Sequence, residues 1–271
     1  MLEETGDNPP LSAWVWASVA VVFLVVCFGA TLLFAPSLSV PRWPWSIPPF
    51  NARFLGAVYA AEAVTVVPFL VINRWSPGRV ALIAASVFTV VASIGTLLHL
   101  DGFLGGRRTI IWFVAYIGYA VLTTLALWIY RDMPRVAPLA MDEARRKALH
   151  WIGVALVAYG IALFLLPSLA SAFWPWAVDA MHAQIYSAVF MATGAAFAFI
   201  ARDGTRLEVL LVGLFIFALG VFAILGLVLA DMETGRVDWA AAGTWVWIAM
   251  FAGFALLGAL LMRQALAKFH A

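Results

Sequence analysis

The sequence predicts an all-α integral membrane protein, a polytopic bundle of about eight transmembrane helices built as two parallel halves of four. Three observations carry that prediction. Of 271 residues, 65% are hydrophobic and 11% charged, against about 25% charged in an ordinary soluble domain. The charges fall in short clusters between long apolar runs, as in a chain that crosses a bilayer repeatedly. Finally, one phrase is written twice. Pro36-Ser37-Leu38 followed by Trp43-Pro44-Trp45 returns without a gap as Pro167-Ser168-Leu169 and Trp174-Pro175-Trp176, an offset of 131.

A helix needs ~20 residues to cross the hydrocarbon core. The apolar runs place the first span at about 12–35, ended by Pro36, and the second at about 51–73. The third, about 79–100, follows Pro77-Gly78, and the fourth, about 109–130, follows Gly105-Gly106. The fifth, about 149–167, stops at Pro167; the sixth, about 182–201, runs to the Arg202 cluster. The seventh and eighth, about 206–230 and 239–262, flank Gly235. The segment before the first span carries Glu3, Glu4 and Asp7 but no Lys or Arg, so a retained span is expected rather than a cleavable signal.

Each half holds an even number of spans, so the halves share one orientation and are expected to be related by an axis along the membrane normal, around a central seam. The organisation is a first repeat over 1–134, a basic cytoplasmic linker over 135–148 and a second repeat over 149–271. With the N-terminus inside, the inner segments hold Arg74, Arg79, Arg131, Arg135, Arg145, Arg146, Lys147, Arg202, Arg206, Arg263 and Lys268. The outer segments hold only Arg42, Arg53, Arg107, Arg108 and Arg236. That asymmetry places both termini in the cytoplasm, in a cell inner (plasma) membrane, and turns both Trp-Pro-Trp segments outward. Most tryptophans then fall near span ends, where indole anchors at the headgroups. Within the linker, Glu143 and Lys147 are spaced i,i+4 after Asp142, a capped helical start feeding the fifth span.

Trp43-Pro44-Trp45-Ser46-Ile47-Pro48-Pro49-Phe50-Asn51-Ala52-Arg53-Phe54-Leu55-Gly56-Ala57 resembles a stretch in uncharacterised bacterial multi-span membrane proteins, which carry Trp-Pro-Trp, a following proline, then Ala-Arg and Gly-Ala entering a helix. The resemblance covers about fifteen residues and implies a bacterial multi-pass protein, with no activity to carry over. The second copy has Gln184 where the first has Arg53, which sets that arginine outside the shared skeleton.

Candidate chemistry concentrates in the first half. Glu62 is the one acid placed well inside a predicted span, with Tyr59 and Thr65 at i−3 and i+3 on its face. A charge there costs roughly 2.5–3.5 kcal/mol on insertion scales, so Glu62 should face the interior, pair or stay protonated. Proton handling and a neutral hydrogen bond across helices are both open, and the equivalent position is Thr193. Ser86, Thr89, Ser93 and Thr96 form a stripe on one face of the third span, with His99 beyond it and Asp101 next. Such hydroxyls either bond helix to helix or line a hydrated path. Tyr116, Tyr119 and Thr123 add polarity in the fourth span. The seventh span has no such stripe; it carries Gly213, Gly220 and Gly226, which suit close packing. At the outer face, Arg53, Asp101, Trp43 and Trp45 are candidates for contact with headgroups or a lid.

Three functions are weighed. A transporter-like bundle would bind or move a small solute, with proton linkage through Glu62. A structural or accessory subunit would dock its apolar second half on a membrane-protein partner. A lipid- or quinone-acting enzyme would use Arg53, His99 and Asp101. No catalytic constellation, phosphate loop or dinucleotide fingerprint is found, and Cys27 stands alone, so no catalytic residue, metal or cofactor is expected. The histidines lack ligand spacing, His99 and His182 being placed at the interface. The expected surroundings are the lipid bilayer, and no basic tract suggests nucleic acid.

Overall fold

A computed structural model describes residues 8–133 and 136–267. The acidic N-terminal stretch, Arg135, Lys268 and His270 lie outside the described residues. The described residues form ten α-helices: α1 (Ala13–Phe34), α2 (Pro36–Ser39), α3 (Pro49–Ile72), α4 (Trp75–Leu97), α5 (Gly106–Ile129), α6 (Glu143–Leu165), α7 (Pro167–Ala170), α8 (Ala180–Asp203), α9 (Arg206–Thr234) and α10 (Ala242–Ala267). No strand occurs among the described residues. Eight of these helices are long and apolar enough to span a bilayer, and the chain is a multi-pass membrane protein.

Local chemistry sets the boundaries. Pro36 and Pro167 end α1 and α6 and open the one-turn helices α2 and α7. Asp142 accepts the Arg145 N–H at 2.8 Å, so α6 begins at Glu143 and takes the last six residues of the expected linker. Thr205 and Glu208 form a reciprocal capping box on α9. Asn73, at φ 42°, turns α3 into α4 within two residues. Pro68 lies inside α3, which continues through it to Ile72.

The spans form two rows, α1–α3–α9–α10 and α5–α4–α8–α6, packed side by side. Each half supplies one end of both rows, and the halves meet along a seam where α3 packs on α9 and α4 on α8. The packing obeys the sequence offset: α1 on α3 corresponds to α6 on α8, and α4 on α5 to α9 on α10. Gly95 lets α4 approach Gln184, and Gly226 lets α9 approach Arg53, at positions again 131 apart. Arg53 and Gln184 differ in type yet act alike. Arg53 donates to the Leu33 carbonyl and Gln184 to the Phe164 carbonyl, two acceptors separated by the same offset.

The seam is closed at both ends. At the end where Asn73 turns the chain, Arg79 forms a 3.1 Å ion pair with fully buried Glu208 and donates to the Asp203 carbonyl, while Ser76 bonds Thr205. At the Trp-Pro-Trp end, Trp45 donates its indole N–H to His182 at 3.1 Å and Trp176 donates to Asn51 at 2.8 Å. Asn51 and His182 are offset equivalents, so the two bonds form a symmetric pair.

The tryptophans divide in a way that composition did not separate. Trp14, Trp16, Trp128, Trp151, Trp239 and Trp245 are exposed, as an interfacial belt requires. Trp43, Trp45, Trp112 and Trp174 are instead buried. The Trp-Pro-Trp segments therefore fold back into the bundle, so Trp43 and Trp45 pack in the core rather than anchoring at the headgroups. A packed aromatic core holds these rings, and the Trp45 and Trp174 N–H groups find partners there in His182 and Tyr159.

Candidate functional site

Within each half the two rows meet mainly through side chains rather than close helix contact; in the first half α1 and α3 lie on one side of this side-chain-filled cleft and α4 and α5 on the other. Although joined by two residues, α3 and α4 diverge and hardly touch. Large side chains fill the gap.

In the second half the filling is apolar. Phe190, Trp247, Phe251 and Phe254 lie in mutual contact, with ring centroids 4.4 Å apart for Trp247 and Phe251 and 5.5 Å for Phe251 and Phe254. All four are buried. The offset positions in the first half are Tyr59, Tyr116, Ala120 and Thr123. Two phenylalanines are thus replaced by an alanine and a threonine, and the remaining aromatics carry hydroxyls. Glu62 stands where the second half has Thr193.

Glu62 is half-buried, and among the described residues it has neither a hydrogen bond nor an ion pair. It lies within electrostatic range of the Tyr59, Tyr116 and Tyr119 hydroxyls. Tyr59 and Tyr116 hydrogen-bond to each other across the cleft. Trp112 stacks on Tyr116 with centroids 3.9 Å apart, and Trp43 lies edge-on to Tyr59 at 6.0 Å. These rings roof the cleft toward the Trp-Pro-Trp end. Tyr130 closes the other end by bonding Ser12 and packing on Trp14 and Trp75. Among the described residues the Tyr119 hydroxyl has no hydrogen-bond partner, and the buried Trp43 and Trp112 N–H groups and the Ser93 hydroxyl are likewise unpaired.

No family model, curated protein or solved structure matches this chain.

The other expected site residues separate into two groups. Thr65, Thr89 and Thr96 return their hydroxyls to carbonyls of their own helices, at 2.7, 2.7 and 2.9 Å. Ser86 alone in the stripe reaches another helix, bonding Thr124 of α5 at 2.9 Å. The stripe thus mixes backbone-satisfied hydroxyls, one interhelical bond and the unpaired Ser93. At the Trp-Pro-Trp end, Arg53 is held by the Leu33 carbonyl and Glu233, and His99 bonds Gln184 at 2.8 Å. Both are committed to the seam, and Asp101 lies exposed in the turn Leu100–Gly102.

Two features escaped the sequence. His182, expected at the interface, is 3% exposed and lies between Trp45 and Asp179, whose carboxylate is 2.6 Å from its Nδ1. An indole can only donate, so Nε2 accepts and Nδ1–H faces the carboxylate, which sets the tautomer. Burial works against the Asp179 carboxylate, yet its bonds from His182 prevail and hold the carboxyl down at about 2. Glu208 is the second, a fully buried acid near a span end. Its signal was present in sequence as the Thr205-x-x-Glu208 capping pattern.

Proposed function

We propose that this protein is a transporter-like bundle of two parallel four-span repeats, with both termini cytoplasmic. Its first-half cleft binds and moves a small solute, and Glu62 links that movement to protons. One observation carries the reading: two offset-related clefts have opposite fillings. The second is sealed by Phe190, Trp247, Phe251 and Phe254, while the first replaces that plug with Ala120, Thr123 and hydroxylated rings around an unpaired carboxyl. A bundle selected only for stability has no use for a carboxyl without a partner in hydrocarbon. Such groups characteristically mark solute or proton routes.

Proteoliposomes loaded with a pH-sensitive dye test this across a panel of solutes. Solute-dependent proton flux is expected for the native chain. Glu62→Gln should abolish the flux while leaving the purified protein monodisperse. Flux that survives Glu62→Gln would exclude the proton linkage. Flux that also survives Ala120→Phe with Thr123→Phe would place the solute elsewhere.

A further inference from the structure

The chemistry of the first cleft also points to a class of solute, on the premise that this cleft is the solute site. Among the described residues Glu62 has no ion-pair partner: Arg53 and Arg79, inside α3 and α4, are paired with Glu233 and Glu208, and Arg107 and Arg108 stand in the first turn of α5. An unpaired carboxyl in an apolar bundle reaches neutrality in one of two ways, by holding a proton or by holding a cation from outside. Its surroundings suit the second. Tyr59 and Tyr116 join across the cleft, Trp112 stacks on Tyr116, and Tyr119 lies within electrostatic range of the carboxyl. Aromatic faces attract a cation through the ring quadrupole and also accept an apolar body. The small Ala120 and Thr123 stand at the positions that Phe251 and Phe254 hold in the other half. An anion meets the carboxyl as a like charge, and a metal ion finds a single carboxylate; no group of three metal-ligating side chains occurs among the described residues.

We infer that the cleft selects a monovalent organic cation with an apolar or aromatic body, which takes the place of a proton on Glu62. The exchange conserves charge. The proton leaves Glu62 for solvent as the cation arrives, and it returns when the cation departs. One site then serves both species alternately, which couples their movement without a second titratable group.

Tetraphenylphosphonium is a suitable probe, with tetraphenylborate as its counterpart of the same shape and opposite charge. Binding of each to the full chain in nanodiscs is measured by calorimetry between pH 5 and pH 9, in buffers of differing ionisation heat so that released protons are counted. The cation is expected to bind at least tenfold more tightly at the alkaline end, releasing up to one proton. Tetraphenylborate should not bind. Glu62→Gln should lose the pH dependence and at least tenfold in affinity, while Glu62→Asp retains both in part. Ala120→Phe with Thr123→Phe should block binding by volume, with the carboxyl intact. Equal binding of the borate, pH-independent binding of the cation, or unchanged binding in Glu62→Gln would overturn the assignment. If Glu62-dependent proton flux occurs with an uncharged solute while the phosphonium fails to bind, the cation class falls and the cleft remains the solute site. If neither the phosphonium nor any solute responds to the Ala120 and Thr123 substitutions, both readings fall.

Discussion

At the residue scale, two indole N–H groups latch the seam at the Trp-Pro-Trp end, one ending on His182 and the other on Asn51. Replacing His182 with Asn, the residue used at the equivalent position, keeps an acceptor and should cost little. His182→Leu leaves the Trp45 N–H buried without a partner, a loss of about 1–3 kcal/mol that would appear as a lower thermal unfolding temperature in detergent. Asp179 supplies a pH dependence. Its folded carboxyl titrates near 2 against a reference of 3.8, so its stabilisation is present above the reference value and is lost as pH falls toward 2. The unfolding temperature should therefore drop on acidification between about pH 4 and pH 2, and Asp179→Ala should flatten that drop. A slope identical in the variant would remove Asp179 from the latch. The sequence hid this latch because its two acceptors differ in kind. Arg53 and Gln184 were hidden in the same way: unlike side chains reach the same backbone acceptor, so comparing identities undervalues them.

At the element scale, the difference between the clefts follows from how closely neighbouring helices approach. Gly213, Gly220 and Gly258 bring the α9 and α10 backbones together, and a side chain at any of them would meet the partner helix. The equivalents on α4 and α5 are Leu82, Thr89 and Leu127, and those helices pack less extensively. Gly220→Val should push α10 away and destabilise the chain by about 1–3 kcal/mol, measured by chemical or thermal unfolding. The proposed solute site lies in the other half, so its affinity should change far less than stability does. A larger loss of affinity than of stability would show that the second half shapes the site directly. The elements themselves were legible because long apolar runs, prolines and charged joints leave a helix few other places to begin or end. The three glycines of the seventh span were also legible, as spacing for close contact.

Across the whole molecule, the seam depends on a few polar contacts that the repeat does not encode. Arg79 has Leu210 as its equivalent, and Glu208 has Pro77, so the ion pair exists once and at one end only. Arg79→Ala leaves Glu208 enclosed with an uncompensated charge and should cost about 3–5 kcal/mol. Adding Glu208→Gln to that variant should recover much of the loss. Thermal unfolding of the single and double variants checks this, and no recovery would mean that the arginine acts through packing on Phe199, 4.5 Å from its guanidinium, rather than through charge. An all-α bundle of eight long apolar helices was legible from the apolar runs and the charged joints between them. Which helices form the seam was not, since α3, α4, α8 and α9 carry no pattern that names a partner so far along the chain in the other half.

That separation sets a timetable for synthesis. A ribosome adds about 5–20 residues per second, so Arg79 is made on the order of ten seconds before Glu208, 129 positions later. Once α5 is complete at Ile129, and until α8 and α9 follow, the first four spans sit in the bilayer with their seam faces bare, the Arg79 guanidinium unanswered and Trp45 without its imidazole. The nascent first half is thus a lipid-exposed intermediate whose polar groups await the second. Slow elongation through the linker would prolong that exposure, and membrane quality control would meet the chain at this stage.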